Sequence, residues 1–422
     1  MRISECRPPT DTDTMHRKHG LLAGFVAATL FGAAAARAAP PSASVDVAAA
    51  DNAFGFRLLN ALQKTIPSGN IVLSPVSAAL DLSMALNGAE GQTRQEMLAA
   101  LSLSGSDLSA INTANAQLIK FIRTPAKNIA LSVADSLWVD SRRATLRPDY
   151  VKQMQASYDA EMADLDFSDP GAANRINSWV SKETQGRISK VIERIDPADL
   201  ALLLNAVYFK GQWAHKFDKA QTQQRDFTLA GGSVKQVPRM AQSGRFDYFE
   251  TPQMQAIRLS FGEGDLVMEV LLPAKSSSLG GLETDLTPEH WTGWQAQYAP
   301  RSGKIELPRF ELKSNYRLNE PLQALGMTRA FHPDGAQLTG MFSSAPGQPR
   351  AGRFFISTVR QSTYWKVDEE GSEAAAATAS GIRTTAVERP FQMIVDRPFF
   401  CAIEDRRSGA LLFVGAIYDP AT

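Results

Sequence analysis

Residues 202–209 read Leu-Leu-Leu-Asn-Ala-Val-Tyr-Phe, an almost unbroken apolar run. A strand that lacks the usual polar alternation is buried on both faces. Other β-rich runs fall at residues 130–139, 266–272, 304–307, 354–367, 391–403 and 411–417. Helical patterns lie between them at irregular intervals. Residues 77–86 predict a buried helix, apolar on most faces, with Asn87-Gly88 as its stop. Thr93-Arg94-Gln95-Glu96 has the form of a capping box ahead of the stripe Met97, Leu98 and Leu101. Asp169 reads as an N-cap followed by Pro170 at the first helical position. The helix after it places Ile176, Trp179 and Val180 on one face and ends at Gly186. Strands and helices that mix without strict alternation predict an α+β fold of several sheets with helices packed around them, not a doubly wound one.

The N-terminal residues read as a targeting segment. Met15-His16-Arg17-Lys18-His19 is basic, residues 21–36 are apolar and Ala-rich, and Ala36-Arg37-Ala38 has the small-x-small form of a cleavage site. The apolar stretch is about 16 residues, short of the roughly 20 a spanning helix needs. The reading is therefore a signal peptide over residues 1–38, with Met15 an alternative start. A disordered lead-in follows over residues 39–50, then one domain over residues 51–422. This predicts an exported protein, periplasmic or extracellular, with no membrane attachment after cleavage. Of the two cysteines, Cys6 precedes the cut and Cys401 sits in an apolar run, so the mature chain has no internal disulfide and Cys401 reads as an inert core residue.

The chain has 44 basic and 44 acidic residues, so it offers no global field for nucleic acid or an anionic membrane. Lys120, Arg123 and Lys127 read as a solvated helix face more readily than as a polyanion patch. His215, His290 and His332 are scattered without metal-ligand spacing. No H-E-x-x-H, C-x-x-C, G-x-S-x-G or G-x-x-x-x-G-K-[ST] string occurs. These readings call for no catalytic residues, no metal and no cofactor.

One segment is out of place. Residues 368–381, Asp-Glu-Glu-Gly-Ser-Glu-Ala-Ala-Ala-Ala-Thr-Ala-Ser-Gly, fit a short helix capped by Ser372 or a flexible linker. Yet they lie between two β-patterns, in a connection of roughly 20 residues, a length that in a compact domain tends to be functional. Read as a strand, Ser372, Ala374, Ala376, Thr378 and Ser380 share one face, all small and uncharged. No proline interrupts the run, alanine is a poor spontaneous strand former, and Gly371 supplies a hinge.

Against this background the chain resembles the serpin family over about residues 52–420. Asn70-Ile71-Val72-Leu73-Ser74-Pro75-Val76-Ser77 is similar to its early strand-to-helix signature. Asn177-Ser178-Trp179-Val180, with Thr184, Gly186 and Ile188, resembles the helix that crosses the main sheet. Leu204-Asn205-Ala206-Val207-Tyr208-Phe209-Lys210-Gly211-Gln212-Trp213 resembles the central strand and its exit. Leu307-Pro308-Arg309-Phe310, Leu325-Gly326-Met327, Asp396-Arg397-Pro398-Phe399-Phe400 and Phe413-Val414-Gly415 follow in the family's order.

The resemblance implies three sheets surrounded by eight or nine helices, with an exposed reactive-centre loop at about residues 369–390. It implies an irreversible suicide-substrate inhibitor that forms a covalent complex with a serine protease and acts as a monomer. The alternative is a serpin fold used only for binding or chaperoning. The implied hinge comprises Glu370, Gly371, Ser372, Glu373, Ala374, Ala375, Ala376, Ala377 and Thr378. Counting from Gly371 places the scissile bond at Thr385–Ala386, with Arg383, Thr384 and Val387 as alternatives. Small candidates suit an elastase- or subtilisin-like target. The implied gate of the main sheet is Ser74, Ser77 and Asn205 at its centre, Trp213 at its top and Gln361 on the neighbouring strand. Position 361 usually carries histidine in the family; glutamine still donates and accepts but does not charge near neutral pH.

Overall fold

The run at residues 202–209 lies inside strand β5 (Ala201–Gly211), and it is covered on both sides. Leu203, Val207 and Phe209 join the main core, while Leu202, Leu204, Ala206 and Tyr208 join a second cluster with Ile176 and Val180 of helix α6 (Ala172–Glu183). Each buried leucine, valine, isoleucine or phenylalanine among them contributes about 1.5–3 kcal/mol by leaving water. The computed structural model describes residues 45–124, 129–344, 354–371 and 389–421, which fall within one compact unit, Ser44–Thr422.

The described residues form three sheets and nine α-helices. The sheet around β5 has five strands. Its order is β11 (Phe310–Arg317), β13 (Thr358–Val367), β5, β2 (Ile129–Asp140) and β4 (Glu161–Leu165). A nine-stranded sheet runs β1 (Ile71–Leu73), β16 (Ala410–Ile417), β15 (Phe399–Asp405), β9 (Leu266–Pro273), β8 (Met254–Phe261), β7 (Val234–Glu250), β10 (Ala299–Pro308) and β14 (Phe391–Ile394), with β6 (Gln223–Thr228) also paired to β7. The third sheet is the pair β3 (Ala144–Leu146) and β12 (Phe342–Ser344). The other helices are α1 (Val47–Thr65), α2 (Pro75–Gly88), α3 (Gly91–Ala100), α4 (Leu108–Arg123), α5 (Pro148–Tyr158), α7 (Leu279–Asp285), α8 (Pro288–Gln295) and α9 (Asn319–Ala324). None of them is long and apolar enough to cross a membrane.

Several local expectations are corrected. Helix α1 starts at Val47 inside the expected lead-in, because Asp46 accepts from Ala49 N and Val47, Ala48 and Ala50 are buried. The capping box does not form. Thr93 lies inside α3, its hydroxyl accepting from Gln337 N, and Glu96 instead accepts from Thr328 N and Arg329 N of a distant turn. The N-cap of α6 is Gly171, not Asp169, whose carboxylate accepts from Gly171 N. The expected strand at 354–367 begins only at Thr358, and the run 391–403 divides into β14 and β15 at Asp396-Arg397-Pro398. Cys401 is buried in β15, and burial pushes its thiol well up, as an inert core thiol requires. Arg123 pairs with Asp159, and Lys127 lies outside the described residues.

Candidate functional site

In the five-stranded sheet β13 and β5 run parallel, with Thr358 opposite Leu202 and Trp365 opposite Phe209. Their outer neighbours β11 and β2 pair antiparallel to them. The chain leaves the end of β13 at Val367 and returns at β14. A strand that folded back after Gly371 would therefore run antiparallel to both β13 and β5, the arrangement in which each edge offers perpendicular ladder bonds.

Four of the five expected gate residues meet in the middle of this seam. Gln361 of β13 lies directly opposite Asn205 of β5 and donates to its Oδ1 at 2.8 Å. The same amide nitrogen donates to Ser74 O at 3.0 Å, and Gln361 Oε1 accepts from Ser74 N at 2.9 Å. The glutamine thus uses both ends of its amide to tie the seam to the start of α2. Asn205 Nδ2 donates to Ser77 Oγ and to Asp135 Oδ1, the latter at 2.6 Å. Ser74 caps α2 through Ser77 N. All four are buried.

The fifth, Trp213, expected at the top of the sheet, lies just past the end of β5. Gly211 is six residues beyond Asn205, roughly 20 Å along the strand. Trp213 stacks on Phe261 at 4.3 Å and donates from its indole to Asp368 O at 2.7 Å, while its backbone N–H reaches Glu370 O. It holds the segment where the long connection begins.

That segment opens the implied hinge, and it is held by partners that the sequence reading did not single out. Glu369 is buried, and its carboxylate accepts from Arg309 Nη1 at 3.1 Å and from Thr222 Oγ1, while its carbonyl accepts from Phe217 N. Burial pushes the Glu369 carboxyl up, but the bonds from Thr222 and Arg309 outweigh it and hold the group below its ordinary value. Glu370 pairs with Lys219. Gly371 has φ +59°, and a Cβ there would lie 2.4 Å from Trp213 N and 2.6 Å from Gly211 O. Glycine is therefore required by both conformation and close approach.

Replacing Gly371 by Val should break these contacts and lower the thermal midpoint of the intact protein by a few degrees, as a strain of about 1–3 kcal/mol implies. An unchanged midpoint in differential scanning calorimetry would show that the hinge is not held as described. Of the remaining hinge residues, Ser372 to Thr378 lie outside the described residues, as do Arg383, Thr384, Thr385, Ala386 and Val387.

Sequence reasoning also passed over two acids. Asp135 of β2 faces Asn205, and Asp81 lies one turn after Ser77 on α2; both are buried. The available signal was a lone acid in a helix that is otherwise apolar on most faces. Burial pushes Asp135 up to about 7, opposed by the bond from Asn205 and the charge of Arg123. Burial, then the charge of Asp135, pushes Asp81 well above the ordinary carboxyl value. Among the described residues no cluster of His, Cys, Asp or Glu is arranged to hold a metal ion.

These features define a class: an α+β protein whose main sheet carries a parallel seam, with a long connection leaving the end of one of its two strands. The family model described as "Serpin (serine protease inhibitor)" matches residues 49–420. Iripin-2 of Ixodes ricinus is 33% identical over 376 residues, covering 87% of this chain and 92% of its own. Serine protease inhibitor 42Dd of Drosophila melanogaster is 32% identical over 367 residues, covering 85% of this chain and 94% of its own. The structure of the thermophilic serpin tengpin in the native state overlays with a TM-score of 0.77 at 26% identity, covering 88% of this chain and 94% of that one. Native protease nexin-1 with heparin overlays at 0.78 and 27% identity, covering 89% and 99%. The chain belongs to the serpin family, whose members are mostly protease inhibitors and not catalysts.

Proposed function

We propose that this serpin is a suicide-substrate inhibitor of a serine protease. A target protease attacks the 372–388 segment at Thr385–Ala386 or a neighbouring small residue and forms an acyl-enzyme. The freed segment enters the seam between β13 and β5 and carries the protease with it before deacylation. The observation that carries this reading is the parallel β13–β5 seam, from which the chain leaves into a connection whose sequence, read as a strand, puts Ser372, Ala374, Ala376, Thr378 and Ser380 on one face. A face of small uncharged side chains enters a packed sheet without clash or unpaired charge. The target has a small primary pocket, as elastase or subtilisin does, and Arg383 is the site a trypsin-like enzyme would choose. The protein acts as an exported monomer, in a periplasm or outside the cell, and needs no cofactor.

The test is incubation with elastase, and separately with trypsin, followed by a denaturing gel and mass spectrometry of the released C-terminal peptide. A protease–serpin band that survives denaturation is the expected result. Clean cleavage that leaves the protease fully active would point instead to a serpin fold used for binding or chaperoning.

A further inference from the structure

The gate at the seam rests on two acids that this function does not use. Asp81 is 1% exposed, and neither of its carboxylate oxygens has a hydrogen-bond partner among the described residues. An ionised carboxylate in such a place has neither water nor donors to stabilise it. Asp135 is 5% exposed and holds one bond, from Asn205, the residue that links β2, α2 and β13. Two acids in one buried site do not both ionise readily, because each charge raises the cost of the other.

The other groups around them offer little compensation. From α5, Tyr150 faces Asp81 but gives its hydroxyl to Met84 O. Arg123, at the end of α4, acts on Asp135 from a distance and pairs with Asp159. On α3, Arg94 donates to Ala89 O and Glu96 accepts from Thr328 N. The buried acid of α1, Asp51, acts on Tyr158. The nearest residues of β5 and β13 are the uncharged Asn205 and Gln361, and β16 presents an apolar run.

We propose that Asp81 and Asp135 are a proton-held latch on the main sheet: the closed seam keeps a proton on the pair, and losing it to solvent favours parting of β5 from β13 and so speeds strand entry. Parting breaks the Gln361–Asn205 bond and admits water to the pair, which relieves the charge. The sign follows from proton counting. A carboxyl raised in the closed state binds more protons there than in the parted state. The closed state is therefore favoured at low pH. It loses ground as pH rises from the ordinary carboxyl range near 4 towards 7, and continues to do so while Asp81 keeps its proton.

This latch rests on the insertion reading above, and it is tested without a protease. The probe is a synthetic peptide with the sequence of residues 372–385, whose uptake by the intact protein is followed through the thermal midpoint. Wild type should take it up at least tenfold faster at pH 8.5 than at pH 5.5. The double variant Asp81→Asn, Asp135→Asn should reduce that ratio to threefold or less, because burial raises Asp135 even without Asp81, and Asp81→Ala with Asp135→Asn provides a second variant should the amides misfold. A flat wild-type profile, or a tenfold ratio retained in a folded variant, overturns the latch. Should the peptide enter at no pH, the midpoint of the peptide-free protein decides: it must fall more steeply with pH in wild type than in the variant, and coincident slopes overturn the proposal. Uptake that depends on pH as expected, in a protein that forms no covalent complex, would remove the inhibitor reading and leave the latch standing.

Discussion

Cleavage within the 372–388 segment is expected to raise the thermal midpoint by about 15–30 °C. The estimate comes from hydrogen-bond counting. A strand of roughly a dozen residues placed between β13 and β5 gains two ladders where the closed seam had one. Each net bond contributes about 0.5–1.5 kcal/mol. The sum is comparable with the whole stability of an ordinary domain, about 5–15 kcal/mol. At a few degrees or less per kcal/mol for a domain of this size, the shift falls in the stated range. The intact form is then held by a barrier and not by equilibrium. Residues 369–371 are part of that barrier, because Trp213, Arg309, Thr222 and Lys219 fix them outside the seam. Calorimetry of intact and elastase-cleaved protein checks the point. Equal midpoints would mean that no strand enters, and the trapping mechanism would fall with them.

How far the sequence reached depended on the range of the interaction. Residues 202–209 announced a strand buried on both faces because burial acts on each residue of the run, and both faces are indeed covered. The helix at 77–86 was legible for the same reason. Thr93 and Glu96 misled because their side chains serve Gln337, Thr328 and Arg329, more than 230 positions away, and no local rule sees that distance. Asp169 misled by two residues, since its carboxylate binds Gly171 N in a turn ahead of the helix.

At the gate, family resemblance located Ser74, Ser77, Asn205 and Gln361, and the geometry joins them. Trp213, which it put at the top of the sheet, lies just past the end of β5 and bonds to Asp368 O and Glu370 O where the hinge begins. The ties of Glu369 to Arg309 and Thr222 come from three distant segments, and only the fold brings them together. Asp81 and Asp135 were unreadable as a pair, because they lie on different elements far apart in the chain and only the fold packs α2 against β2.

The second large effect concerns Ser372. It follows the fixed glycine, so it is the first side chain to enter when the segment folds into the seam. An arginine there must give up its hydration between β13 and β5, with no carboxylate of the gate aimed at that end of the sheet. Glu369 is already engaged by Arg309. Burying an unpaired charge costs several kcal/mol even after relaxation, and each 1.4 kcal/mol on a barrier slows a step about tenfold. In the proposed mechanism insertion competes with deacylation in time, so a slowdown of that size would hand the acyl-enzyme to water. Ser372→Arg should therefore be cut at the wild-type rate, yet yield at least tenfold less covalent complex. Titration of active protease should show many molecules consumed per enzyme inhibited. A variant that still inhibits at the wild-type stoichiometry would mean that residue 372 stays outside the sheet and that the hinge lies further along the chain.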